Sequence, residues 1–254
     1  MKNKAKLVER CRQLVESGQG DKARSLCRQI LRDAPNDPDA LNLLGVIAFA
    51  EKNYPAAGQF YSQAIAASPA VPLLHYNLAM VLEATGQRNQ AMASLQRAIG
   101  LNPDYAEAHN NLGFTLQELG RRDEAIEHYK RALAIKPDYA AAHLHLSMII
   151  PEQEQAADIE NLLLGSSVSA TDASHYHFAL GNIYANDLIF DQAFEHYSLA
   201  NELKRRSISY DSQDYATYVD KLIETCTKTG FEQSAAGSDS ELPLFIVGLP
   251  RSGT

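Results

Sequence analysis

The sequence predicts an all-α solenoid of about six helix pairs. Three observations lead there: a 34-residue period, one small residue recurring at a fixed place in each period, and a composition rich in helix formers. The 254 residues contain no Trp and only 8% aromatic residues, while 45% are hydrophobic. That balance suits closely packed helices better than a sheet sandwich and excludes wholesale disorder. A net charge of −8 argues against a broad nucleic-acid surface, which needs clustered cations. No apolar run reaches the roughly 18 residues of a membrane helix. The start, MKNKAKLVERCRQ, lacks the continuous apolar stretch of a signal peptide. A cytoplasmic chain with no membrane partner is therefore expected.

The period is set by Pro35, Pro69, Pro103 and Pro137, each following an amphipathic run where Pro can end one helix and set the turn to the next. With units starting at Lys4, Pro38, Pro72, Ala106, Ala140 and Ser174, the eighth residues are Cys11, Gly45, Ala79, Gly113, Ser147 and Gly181, all small. A small residue once per unit marks the point where two antiparallel helices cross closely. The twentieth residues, Ala23, Ala57, Ala91, Ala125, Ile159 and Ala193, mark the same crossing from the second helix. Leu44, Leu78, Leu112, Leu146 and Leu180 from first helices, with Tyr61, Leu95, Tyr129, Leu163 and Tyr197 from second helices, should fill the core around it. Gly18, Gly86 and Gly120 fall between the paired helices, where a left-handed residue can close one helix before the next begins.

Residues 110 to 139, NNLGFTLQELGRRDEAIEHYKRALAIKPDY, resemble a tetratricopeptide repeat, with its small, Ala, Tyr, Ala and Pro signature in place. The resemblance covers residues 4 to about 203 and is weakest in the first unit, where Arg10 replaces the usual Leu. It implies a right-handed superhelix with a concave groove lined by first helices. Unit five departs from the pattern: Pro151 lies within its expected first helix, and Thr171 replaces its closing proline. A shortened first helix, a second helix over roughly 155–164 ended by Gly165, and a polar loop SSVSATDAS with capping residues are expected. The second helix of unit six should run on toward Arg205.

Groove positions project from the first helices, and the candidates for a protein or peptide partner are Asn42, Tyr76, Asn77, Met80, Asn110, Asn111, Phe114, Gln117 and His145. Asn77, Asn111 and His145 share one position, a polar ladder resembling the asparagine ladder of O-linked N-acetylglucosamine transferases. Such a ladder can hydrogen-bond a peptide backbone, or it can simply be solvated. The same positions lack the Lys and Arg that grip a terminal carboxylate. His75, His109, His143 and His177 share position four, a packing position, so no metal site is assigned. Cys11, Cys27 and Cys226 form no CxxC pattern; the first two fall on core positions, which fits a reducing compartment.

Beyond the repeats, spacing of Tyr215, Tyr218, Leu222 and Cys226 predicts a bridging helix within 207–231, followed by a linker over 232–242. PLFIVGLPRSGT then reads as a buried strand and a phosphate-cradling loop, the truncated start of an α/β domain over 243–254. Thr254 stands where a nucleotidase P-loop needs Lys, which weakens that reading. The motif instead resembles the phosphosulfate loop of sulfotransferases, and the whole order of segments resembles bacterial proteins joining tetratricopeptide repeats to such a domain. The resemblance implies phosphoadenosine phosphosulfate as co-substrate, met by Pro250, Arg251, Ser252, Gly253 and Thr254. No catalytic residue is assigned, because the remainder of that domain would lie beyond Thr254. A stand-alone repeat adaptor is the alternative.

Overall fold

The computed structural model describes residues 2–165 and 168–207. Every regular element among them is a helix, in the order α1 (Lys2–Glu16), α2 (Gly20–Asp33), α3 (Pro38–Ala50), α4 (Tyr54–Ala67), α5 (Pro72–Ala84) and α6 (Arg88–Leu101), continuing with α7 (Ala106–Glu118), α8 (Arg122–Ile135), α9 (Ala140–Ser147), α10 (Gln153–Leu163), α11 (Ala170–Asn186) and α12 (Phe190–Ser207). These form one compact unit ending at Ser207. The bridging helix, linker, strand and phosphate loop expected over 208–254 lie outside the described residues, and the fold described is the helical solenoid of residues up to Ser207.

Punctuation explains the helix ends. Pro35, Pro69, Pro103 and Pro137 each stand one residue past a C-cap, namely Ala34, Ser68, Asn102 and Lys136. There the missing N–H interrupts no helical hydrogen bond. The Asp37 carboxylate accepts from Ala40 N at 2.9 Å, and Asn53 Oδ1 accepts from Ala56 N at 3.3 Å. Both satisfy first-turn donors that have no partner within the helix. Between paired helices, Gly18, Gly86 and Gly120 have φ of +72°, +75° and +77°, the left-handed conformation expected of them. Lys52 and Leu188 occupy the same place with φ of 59° and 62°, so the turn is kept there against the preference of a side chain.

The crossing in the regular pairs is a matched set of volumes. A Cβ on Gly45 would lie 2.4 Å from the Tyr61 ring, one on Gly113 2.7 Å from Tyr129, and one on Gly181 2.6 Å from Tyr197. Where the eighth residue is larger, the opposing residue is smaller: Ala79 faces Leu95 within one core cluster, and Cys11 meets Cys27 with sulfurs 3.3 Å apart. Both cysteines are buried with free thiols, and burial raises both thiol pKa values. The thiolate that reacts with an aromatic disulfide is thus suppressed twice, by pKa and by access. We expect Cys11 and Cys27 to be labelled only as fast as unit one opens. Labelling at the rate of an exposed thiol, followed by mass spectrometry under native conditions, would contradict this.

The position-four histidines tie units together. His75, His109 and His143 place Nε2 at 2.9, 3.0 and 2.8 Å from the carbonyl oxygens of Pro69, Pro103 and Pro137, the proline closing the preceding unit. His177 has no closing proline to meet, and keeps only the contact of its Nδ1 with His196 Nδ1 at 3.0 Å, the counterpart of the 3.0 Å contact between His109 and His128.

Two boundaries differ from expectation. α9 is the shortened helix expected, ending at Ser147, but α10 starts at Gln153 rather than about 155. The first helix of unit six starts at Ala170 rather than Ser174. The cause is Ser169, whose Oγ accepts from Asp172 N at 3.0 Å and donates to Asp172 Oδ2 at 2.7 Å; a local capping motif starts the helix one turn ahead of the repeat register. As expected, α12 continues past Arg205.

Candidate functional site

Side chains at positions five, six and nine of the first helices form a continuous row across the units. At each junction from unit two to unit five, position five of one unit meets position six of the next. Asn77 Nδ2 donates to Asn42 Oδ1 at 2.9 Å, and Asn111 Nδ2 donates to the Tyr76 hydroxyl oxygen at 3.0 Å. His145 Nδ1 lies 2.9 Å from Asn110 Oδ1, while Asn110 Nδ2 donates to Asn111 Oδ1 at 3.0 Å. At the junction with unit six a different pair, positions nine and eight, makes the contact: Asn182 Nδ2 donates to Ser147 Oγ at 2.9 Å. The helices present these groups because a 3.6-residue turn puts positions five and nine on one face.

The nine candidates therefore divide. Asn110 is only 2% exposed and sits between units rather than on the open surface. Gln117 accepts the Tyr129 hydroxyl at 2.9 Å, and so serves the crossing of α7 and α8. Asn42, Asn77, Asn111 and Tyr76 are half-buried, with the polar atoms described above engaged across junctions. Phe114, 39% exposed, reaches solvent and lies with its ring 5.7 Å from that of His145. Met80 is half-buried, its sulfur 3.1 Å from Asn111 Nδ2.

Two exposed residues on the same face were missed by the polar ladder. Leu73 at position two is 44% exposed, and Met148, at position nine beyond the end of α9, is 57% exposed. With Val46, Met80 and Phe114, Met148 completes an apolar stripe at position nine through four successive units. The signal for it was the repeat register itself, read along position nine rather than along position six.

Electrostatically the row is neutral to acidic. Burial and the neighbouring His175 push His145 down to about 4, so it is neutral near pH 7 and donates from Nδ1 to Asn110. Burial, with Tyr76 and Glu107 nearby, pushes the Tyr105 hydroxyl up to about 12. Its ring lies 5.1 Å from that of Tyr76. Glu83, at position twelve, accepts from the Thr115 hydroxyl across the junction of units three and four. Positions two, five, six, nine, twelve and thirteen of units two to four contain Asp39, Glu83, Glu107 and Glu118 but no Lys or Arg.

Models of the tetratricopeptide repeat match residues 106–139 and 11–72, and a further model of the same repeat matches 81–120. These units are tetratricopeptide repeats. PilF from Pseudomonas aeruginosa is similar in fold, with 17% identity and a TM-score of 0.64 over 85% of this chain and 97% of that one. MamA from Desulfovibrio magneticus RS-1 gives 19% identity and a TM-score of 0.52 over 81% of this chain and 98% of that one. An uncharacterized protein of Aquifex aeolicus (strain VF5) is 32% identical over 102 residues, 40% of this chain. The match spans 13% of the length of that relative. Among the described residues, no helix is long and apolar enough to cross a membrane.

Proposed function

We propose that this tetratricopeptide chain is a protein-interaction scaffold whose first-helix face holds a peptide segment of neutral or basic character. The observation that carries this is the apolar stripe of Val46, Met80, Phe114 and Met148 flanked by an amide row and by acidic rather than basic residues. Apolar side chains of a partner would lie on the stripe, and Asn77 and Asn111 would offer their remaining amide acceptors to its backbone. An acidic or carboxylate-terminated segment lying along units two to five would meet no Lys or Arg at these positions.

The test is selection from a random peptide library displayed on phage. Enriched sequences should be depleted in Asp and Glu, and Phe114→Asp with Met148→Asp should lower their affinity about tenfold or more at unchanged helicity. Enrichment of acidic sequences, or binding indifferent to the double substitution, would refute the assignment to this face. The reading of a sulfotransferase parent using phosphoadenosine phosphosulfate is secondary. It is supported by the GLPRSGT motif and the order of segments before it, whereas the family models match within the repeats.

A further inference from the structure

The irregular fifth unit leaves a cavity of about 600 Å³ between α8, α9 and α10. It exists because α9 stops after 8 residues and packs chiefly on α11, so α10 does not close against it as a second helix closes against the first in the regular units. Leu133, Pro137, Leu146 and Leu162 supply apolar wall; Glu152, Glu154 and Asp158 supply carboxylates, and no Lys or Arg lines it.

Gln155 is part of that wall and is nine-tenths buried. Its amide orientation follows from a chain of contacts. His143 Nε2 lies 2.8 Å from Pro137 O, so that nitrogen holds the proton and Nδ1 is an acceptor. Burial lowers the His143 pKa and keeps the ring neutral. Gln155 Nε2 then lies 3.3 Å from both His143 Nδ1 and His143 O, two acceptors that only an amide NH₂ can serve. Gln155 Oε1 is left buried with no hydrogen-bond donor in the protein. Buried acceptors are nearly always satisfied, and this one belongs to a side chain that lines a space edged with carboxylates.

We propose that the cavity binds an organic cation on an apolar stem, an alkylguanidinium or alkylammonium group. Its N–H donors satisfy Gln155 Oε1, its charge meets Glu152, Glu154 and Asp158, and its stem packs on Leu133, Leu146 and Leu162. Guanidinium fits best, since planar N–H donors can serve an amide oxygen and a carboxylate together. The group can arrive as a free small molecule or as an Arg side chain of another protein, with the same chemistry in either case.

The experiment titrates the isotope-labelled full chain with agmatine, with the capped tripeptide acetyl-Gly-Arg-Gly-amide, and with uncharged butylurea, while the Gln155 side-chain amide and His143 ring are followed by NMR. At least one cation should shift both signals saturably, with butylurea binding about tenfold more weakly or worse. Response to agmatine alone assigns the source as a free molecule; response to the tripeptide assigns it as a protein side chain. The combined variant Glu152→Gln, Glu154→Gln, Asp158→Asn changes exposed carboxylates and should weaken cation binding about tenfold with helicity retained. Absence of a saturable shift with either cation, equal binding of butylurea, or undiminished affinity in the neutralised variant overturns the proposal. The butylurea comparison requires no substitution and holds however the variant folds.

Discussion

Gly113→Ala lowers the stability of the solenoid, and Tyr129→Leu placed in the same chain recovers much of the loss. The alanine methyl would lie 2.7 and 2.8 Å from Cε1 and Cδ1 of Tyr129. That ring is fully buried in the central core, with its hydroxyl held by Gln117. It has no space to retreat. Overpacking of this kind costs about 1–3 kcal/mol, and the gain from replacing a helical glycine offsets about 1 kcal/mol of it. The larger Gly113→Val keeps the clash and loses most of the offset, so its net cost should approach about 3 kcal/mol. The chain already contains the compensated solution in unit three, where Ala79 and Leu95 share a cluster. A double-mutant cycle in urea should therefore show coupling of about 1 kcal/mol or more between positions 113 and 129. Additive effects would mean that the glycine is required for some reason other than the ring.

Acid weakens the fold in the window below pH 6.5. The pKa values of His109, His128, His143, His145, His175, His177 and His196 are all lowered from 6.5, with burial the largest cause in each. Below 6.5 the unfolded chain takes up protons that the folded chain resists, so stability is full above that value and falls as the pH falls through it. His145, pushed down to about 4, accounts alone for a loss of about 3 kcal/mol once the pH is below 4. The pairs His109–His128 and His177–His196 add to it, because Nδ1 atoms 3.0 Å apart share one proton and cannot both hold one. The urea midpoint should drop steadily from pH 7 to 4.5. His145→Asn, which keeps a donor toward Asn110, should flatten that dependence. A midpoint indifferent to pH over this range, or a slope unchanged in the variant, would refute the account.

The helix starts at Pro38, Pro72, Ala106 and Ala140 were legible because a period repeated down the chain leaves little choice of register. The start of unit six was not, since Ser169 and Asp172 build a local cap that outcompetes the period. Lys52 and Leu188 escaped notice for a related reason: glycine is the visible marker of a left-handed turn, and here packing of the paired helices imposes that turn on residues that disfavour it. The site was read less completely than the fold. Asn77 and Asn111 share one position of the repeat and so were named together, but their partners, Asn42 and Tyr76, lie 35 residues away. That offset depends on how neighbouring units stack, which one repeat does not encode. The cavity beside Gln155 was foreshadowed only by Pro151, a sign of a break that does not say what opens behind it.

The ties between position-four histidines and proline carbonyls bear on how the array would respond to tension. They occur at three consecutive junctions, from unit two through unit five, and the same junctions hold the polar pairs of positions five and six. Unit two has Leu41 at position four, so the junction with unit one lacks this tie and is held by apolar packing and the ion pair of Arg24 with Glu51. Drawn apart along its axis, the chain would behave as a stiff central spring in series with a softer terminal unit. Extension would begin at α1 and α2, leaving the middle of the amide row in register after the first unit has peeled away.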